Sequence, residues 1–217
     1  MKEALPLLLF LAVGLSAIFG AESLDEIRKK AEAGDAVAQF NLGQMYRIGD
    51  GVPKDSAEAV KWYRKSAEQG IASAQGNLGW MYSIGNGVLK DSAEAVKWYR
   101  KSAEQGNALA QFNLGAMYAN GDGVLKDSAE AVKWYRKSAE QGNAKAQAFV
   151  GASYVSGNGV LKDWVQAHAW YNNASANGYE RVRELMGFIE KEMTPEQKAE
   201  ATKLAREIFE RIEAKKK

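Results

Sequence analysis

The chain has 217 residues, with 29 Lys and Arg against 27 Asp and Glu and a formal net charge of +2, so no strong field points at nucleic acid or an acidic membrane. Apolar residues make up 46%, which suits a folded globular chain and excludes a mainly disordered one. No Cys and one His exclude a disulfide framework, a thiolate metal site, a Cys nucleophile and a paired-His metal centre.

The chain opens on a targeting segment. Ala4 to Ala21 carries no charge, its centre is the run Leu7 to Leu11, and small residues Gly20 and Ala21 precede Glu22. This reads as a secretory signal peptide cut near Ala21, which places the mature chain in the periplasm or outside the cell. The alternative is a retained anchor. Eighteen residues at helical rise span roughly 27 Å, just short of the hydrocarbon core. Glu3 opposes Lys2, and Phe19 stands where a small residue favours cleavage.

A 36-residue period governs the rest of the chain, with Gly34, Gly70, Gly106, Gly142 and Gly178 in step. The block Gly87 to Gly106 is identical to Gly123 to Gly142, and Gly51 to Gly70 differs from both only by Pro53 in place of Leu. The expected organisation is residues 1–21 as export signal, 22–33 as an N-terminal half-repeat helix, 34–177 as four repeats and 178–217 as C-terminal capping helices.

Each repeat predicts two helices. In the first, Ala38, Leu42, Met45 and Tyr46 recur at helical spacing, then Gly49-Asp50-Gly51 breaks the chain. Asp55 with Glu58 predicts a capping box for the second helix, whose stripe is Ala59, Trp62, Tyr63 and Ala67. Gly70 closes that helix. Asp35, Asn107 and Asn143 cap the first helices of their repeats, a role Ile71 cannot fill. Toward the end, Thr194, Pro195 and Gln197 predict a cap, followed by a helix with Ala201, Leu204, Ala205, Ile208 and Ile212 as its stripe. It reads as the polar closing cap a solenoid needs, with dimerisation as the alternative.

The run Ala38, Leu42, Gly43, Tyr46, Gly49, Gly51, Val52, Asp55, Ala59, Trp62 and Tyr63, repeated in register over residues 34–177, resembles the signature of Sel-one-like repeats (SLR), relatives of tetratricopeptide repeats. The resemblance implies an all-α, right-handed α-solenoid whose first helices line a concave groove. It also implies a non-enzymatic adaptor that binds a protein or peptide, with no cofactor. The fourth repeat departs from the pattern, with Val150 for Leu, Ser153 for Met and Trp164 for Ser.

Comparison of the repeats with one another separates packing positions from free ones. The second helices hardly change, while the first helices vary along one arc. Successive repeats carry Val37, Ser73, Leu109 and Lys145, then Phe40, Gly76, Phe112 and Ala148. They go on with Gln44, Trp80, Ala116 and Ala152, and with Arg47, Ser83, Ala119 and Val155. At about 100° per residue these positions fall within one arc of the helix, opposite the constant stripe. These sixteen residues form the expected partner-binding groove, with Phe40, Trp80 and Phe112 as apolar anchors. Gly76, unfavourable in mid-helix, is expected to open a pocket between Phe40 and Phe112 beside Trp80.

Other features read as structural. His168 is alone and reads as a packed helix residue rather than a ligand. The Asp residues beside the turn glycines lack the spacing of a calcium loop. The Trp62-Tyr63 pair and its copies read as inter-repeat core, and Lys61, Arg64 and Lys65 as an ion-paired face rather than a nucleic-acid patch. A peptidoglycan- or β-lactam-interacting envelope protein is a second reading, raised by resemblance to some secreted relatives. Against it, no Ser begins an S-x-x-K, and Gly151-Ala152-Ser153-Tyr154-Val155 misses G-x-S-x-G at its last position. A self-associating structural spacer is a third.

Overall fold

The computed structural model describes residues 23–215, and residues 1–21, the expected export signal, lie outside the described residues. Among the described residues there are eleven helices and no strand. They are α1 (Leu24–Glu32), α2 (Ala36–Ile48), α3 (Ser56–Glu68), α4 (Ala72–Ile84), α5 (Ser92–Glu104) and α6 (Ala108–Asn120), then α7 (Ser128–Ala139), α8 (Ala144–Ser156), α9 (Trp164–Ala176), α10 (Val182–Ile189) and α11 (Pro195–Ala214). Each helix from α1 to α9 packs against the next, which makes an α-solenoid of helix pairs. No helix among the described residues is long and apolar enough to cross a membrane.

The helix ends follow the capping chemistry. Asp35, Asn107 and Asn143 accept from the backbone N–H three residues on, whereas Ile71 leaves α4 without a side-chain cap. Asp55 caps α3, but Glu58 does not complete a box; it pairs with Lys61 at 2.5 Å. The lysine one turn on competes for the same carboxylate. Full capping boxes occur at Ser23/Glu26 and Thr194/Gln197.

Within a repeat, the two helices approach closely because the first carries a glycine against a tyrosine. A Cβ on Gly79 would lie 2.9 Å from the Tyr99 ring, and one on Gly115 2.8 Å from that of Tyr135. Burial pushes the phenols of Tyr63, Tyr99 and Tyr171 up from their usual range, and that of Tyr135 to about 12. A phenol whose folded pKa exceeds its unfolded one contributes stability that is complete below pH 10 and is lost as pH rises toward 12. Alkaline titration should therefore show these four tyrosines ionising together with the loss of helical circular dichroism. Their ionisation near pH 10 with full helix retained would contradict this.

Between repeats, a buried glutamine in each first helix makes the joint. Gln75 Nε2 donates to Ala67 O at 3.0 Å, a carbonyl in the last turn of the preceding helix, and its Oε1 accepts from Gln105 Nε2 at 2.7 Å. Gln111 and Gln147 repeat the arrangement with Ala103 O and Ala139 O, and with Gln141 and Asn177. Leu is one heavy atom smaller and has no polar atom, so it would strand the buried Ala67 carbonyl and leave the Gln105 amide without its partner. Gln75→Leu should cost about 2 kcal/mol, read from the urea midpoint.

The aromatic pairs of the second helices belong to the core. Tyr63, Trp98, Tyr99, Trp134, Tyr135, Trp170 and Tyr171 are buried, and only Trp62 remains half-buried at the N-terminal end. Lys65, Lys101 and Lys137 lie over the Trp rings of their own helices at 4.1, 4.4 and 4.0 Å from the centroids. His168 is buried too, with Nε2 2.8 Å from Glu190 Oε1 at the end of α10. At the far end α11 lies back along α9. Asn173 Nδ2 donates to Ala205 O at 2.9 Å, and Lys215 Nζ reaches Glu140 Oε2 at 2.9 Å. Ile208 and Ile212 close the core over Trp170, leaving charged residues outside.

Candidate interaction cleft

The four first helices α2, α4, α6 and α8 present their variable arcs to one side, and the arc is not uniform. Phe40 and Phe112 are half-buried, each leaning on the tyrosine of its own repeat. The ring centroids are 5.9 Å apart for Phe40 and Tyr63 and 5.6 Å for Phe112 and Tyr135. In the second repeat the equivalent residue is Gly76, so no phenylalanine ring leans on Tyr99, which nonetheless stays 3% exposed. A cleft of about 340 Å³ opens there, lined by Phe40, Gln44, Arg47, Ser73, Gly76, Asn77, Trp80, Tyr99, Asn107, Leu109, Ala110 and Asn113.

Seven of the sixteen expected groove residues therefore meet in one cleft: Phe40, Gln44, Arg47, Ser73, Gly76, Trp80 and Leu109. Its walls are apolar, with Trp80 and Leu109 exposed. Its polar side is built from amides and one cation. Arg47 Nε donates to Gln44 Oε1 at 2.9 Å and to the Tyr63 hydroxyl at 3.2 Å. Asn77 Nδ2 lies 3.4 Å from the same Gln44 oxygen. Burial raises the Tyr99 phenol, opposed in part by hydrogen bonds with Ser83 and Asn113. No acidic residue lines it.

The expected pocket between Phe40 and Phe112 is displaced. Phe112 does not line the cleft; it is held by Tyr135 and by Phe149, whose ring meets it edge-on at 5.5 Å. Leu109 and Asn113 take that wall instead, because α6 turns its preceding and following residues toward α4. Ala116, Ala119 and Ala152 line a second cleft between α6 and α8 of about 470 Å³. Ala148 is corrected outright. It is 5% exposed and packs in the C-terminal core with Tyr171, Val182 and Ile189, where α10 covers the end of the arc. Val37 and Lys145 stay exposed, Ser83 and Val155 are half-buried, and none of the four lines either cleft.

Sequence reasoning missed Asn77, Asn113 and Tyr99. Asn recurs unchanged in the first three repeats as Asn41, Asn77 and Asn113 and so was not among the variable positions, yet Asn77 and Asn113 border the cleft. Phe149, 43% exposed, takes that place in the fourth repeat.

Comparison with known proteins agrees with this architecture. The Sel1 repeat model matches residues 36–71, 72–107, 108–143 and 144–179. The chain is 39% identical to a protective antigen present in uropathogenic Escherichia coli strains that displays an SLR fold, with a TM-score of 0.82. That match covers 93% of this chain and 44% of the antigen chain, so this chain spans less than half of that relative. A Sel1 repeat protein from Oxalobacter formigenes is 37% identical, with a TM-score of 0.71, over 83% of this chain and 74% of its own. No curated protein matches the chain significantly. Four in-register repeats, their shared helix-pair fold and these two relatives lead to one conclusion: the chain belongs to the Sel1-repeat family.

Proposed function

We propose that this protein is an exported, non-enzymatic adaptor that holds a segment of a partner protein across its first helices. Sel1 repeats commonly mediate protein–protein interaction, and the finer reading rests on one observation. Gly76 stands where the neighbouring repeats carry a phenylalanine, and the cleft that it lines together with Tyr99 is of ligand-binding size. An apolar side chain of the partner lies against Tyr99 between Trp80 and Leu109. The partner's backbone amides meet Asn77, Asn113 and Gln44, which supply donors and acceptors in pairs. Arg47, the one charge lining the cleft, favours a carboxylate next to that apolar residue. Because the cleft is preformed, capture orders little of the solenoid. The apolar stretch of residues 4–21 delivers the chain out of the cytosol.

Crosslinking capture from cell-envelope extract tests this. Wild type is compared with Trp80→Asp combined with Leu109→Asp, two exposed positions whose change leaves the core untouched. A protein captured by wild type and lost with the double substitution is expected. Equal capture by both would overturn the assignment of the cleft.

A further inference from the structure

The turns between the two helices of each repeat carry Leu89, Leu125 and Leu161, each 89% exposed. They are the most exposed of the large apolar side chains described, and the repeat places them in a row on one edge of the solenoid. A lysine follows each of them. The next residue is an aspartate whose carboxylate is occupied in capping α5, α7 or α9, at 2.9 to 3.0 Å from the backbone N–H it accepts from.

Two features say what covers this edge. The leucines are set apart by the Gly, Asn and Asp residues of their turns, so they do not make the continuous patch that a protein interface buries. A bilayer surface takes protruding apolar side chains one at a time, and its phosphates would meet the adjoining Lys90 and Lys126, while Lys162 lies over the Trp164 ring at 4.2 Å from the centroid. The second feature is where the chain enters the fold. The first residue of α1 is at this edge: a Cβ on Gly51, in the first turn of the row, would lie 3.9 Å from Leu24 Cδ2. The uncharged segment Ala4 to Ala21 ends three residues before Leu24.

We propose that the turn edge of the solenoid rests on a lipid bilayer, with Leu89, Leu125 and Leu161 inserted among the headgroups. Export decides only the side of the membrane, and lipid contact is tested independently of export and of partner capture. The first-helix clefts then lie along a solenoid held edge-on to the membrane and stay open to a partner.

The chain has no Cys, so a single introduced thiol carries a unique fluorophore. The full chain is reconstituted in phosphatidylcholine vesicles with brominated acyl chains, labelled at Leu125→Cys or at Glu104→Cys. Glu104 ends α5 at the opposite edge, about 20 Å away along a 13-residue helix. Bromolipid should quench the label at 125 at least twofold more than the label at 104, and Leu89→Ser with Leu161→Ser should remove the difference. Equal quenching at the two positions would overturn the proposal. So would a difference that survives the paired Ser substitutions, which would mark a tether without insertion. A blue shift of the 125 label that needs no lipid would also overturn it, in favour of a second copy of the chain.

Discussion

Gly87→Ala should destabilise the protein by at least about 3 kcal/mol, while Gly51→Ala, the same change at the same place in the preceding repeat, should cost only about 1 kcal/mol. Both glycines have left-handed backbone, φ +71° and +69°, so the conformational penalty is shared. Their surroundings differ. A Cβ on Gly87 would stand 2.1 Å from Ser56 O and 2.8 Å from Ala57 N, inside the backbone of the first turn of α3. Among the described residues, a Cβ on Gly51 would meet only the ends of Met45 and Leu24, at 3.4 and 3.9 Å. Because only neighbouring repeats touch in a solenoid, the loss at Gly87 should be local. Hydrogen exchange should rise in α2 to α4 and stay unchanged in α8 to α11. Equal urea midpoints for the two variants would show that the turns do not carry the joint.

Gly76→Phe should abolish binding of segments that use the first cleft, lowering affinity tenfold or more, and leave the fold as stable as wild type or more so. The first and third repeats already carry phenylalanine at this position, against tyrosines equivalent to Tyr99. A Cβ at 76 would lie 3.2 Å from Ser102 Oγ, a gap that must open by a few tenths of an ångström. Ser66 and Ser138 stand in the same place in the repeats that hold phenylalanine, each bonded to the carbonyl that begins the first helix, so the scaffold makes that adjustment. Phenylalanine is also the better helix residue by roughly 0.5 kcal/mol. The new ring would lean on Tyr99, as Phe40 leans on Tyr63, and occupy the space of the cleft. A tenfold loss corresponds to about 1.4 kcal/mol, well within what one buried aromatic or aliphatic anchor supplies. Peptides selected by display on the wild-type chain, then titrated against both proteins by fluorescence anisotropy, give the comparison. Unchanged affinity would remove the cleft from the binding site.

The period of 36 residues, the two helices in each repeat and their caps were legible because they rest on local chemistry. An Asp or Asn before a helix accepts from the N–H groups of that helix wherever it folds, and a glycine in left-handed backbone ends one without help from its neighbours. Glu58 shows where local reading fails, since Lys61 on the same helix competes for the carboxylate that the box would use.

The variable arc was legible as a set of positions, and its division was not. Gly76, Phe40 and Trp80 belong to one cleft, Phe112 to a cluster with Tyr135 and Phe149, and Ala148 to the core. The helical angle of a residue gives its direction within one helix. What it meets depends on how far the adjacent helices stand apart, and on what closes the end of the stack. Asn77 and Tyr99 were hidden for the same reason: each recurs in its repeats like a packing residue, and each also lines the cleft beside Gly76.

By itself the sequence determined the repeat, its helices, its turns and the family, because these are set by interactions within some ten residues and are repeated four times in register. Only the tertiary structure decided which side chains share a cleft, that α10 buries Ala148, that α11 folds back to close the core over Trp170, and that the exposed leucines and the start of α1 stand on one edge. Those outcomes come from the packing of helices distant in sequence, where a missing side chain in one repeat is felt as open space beside the next.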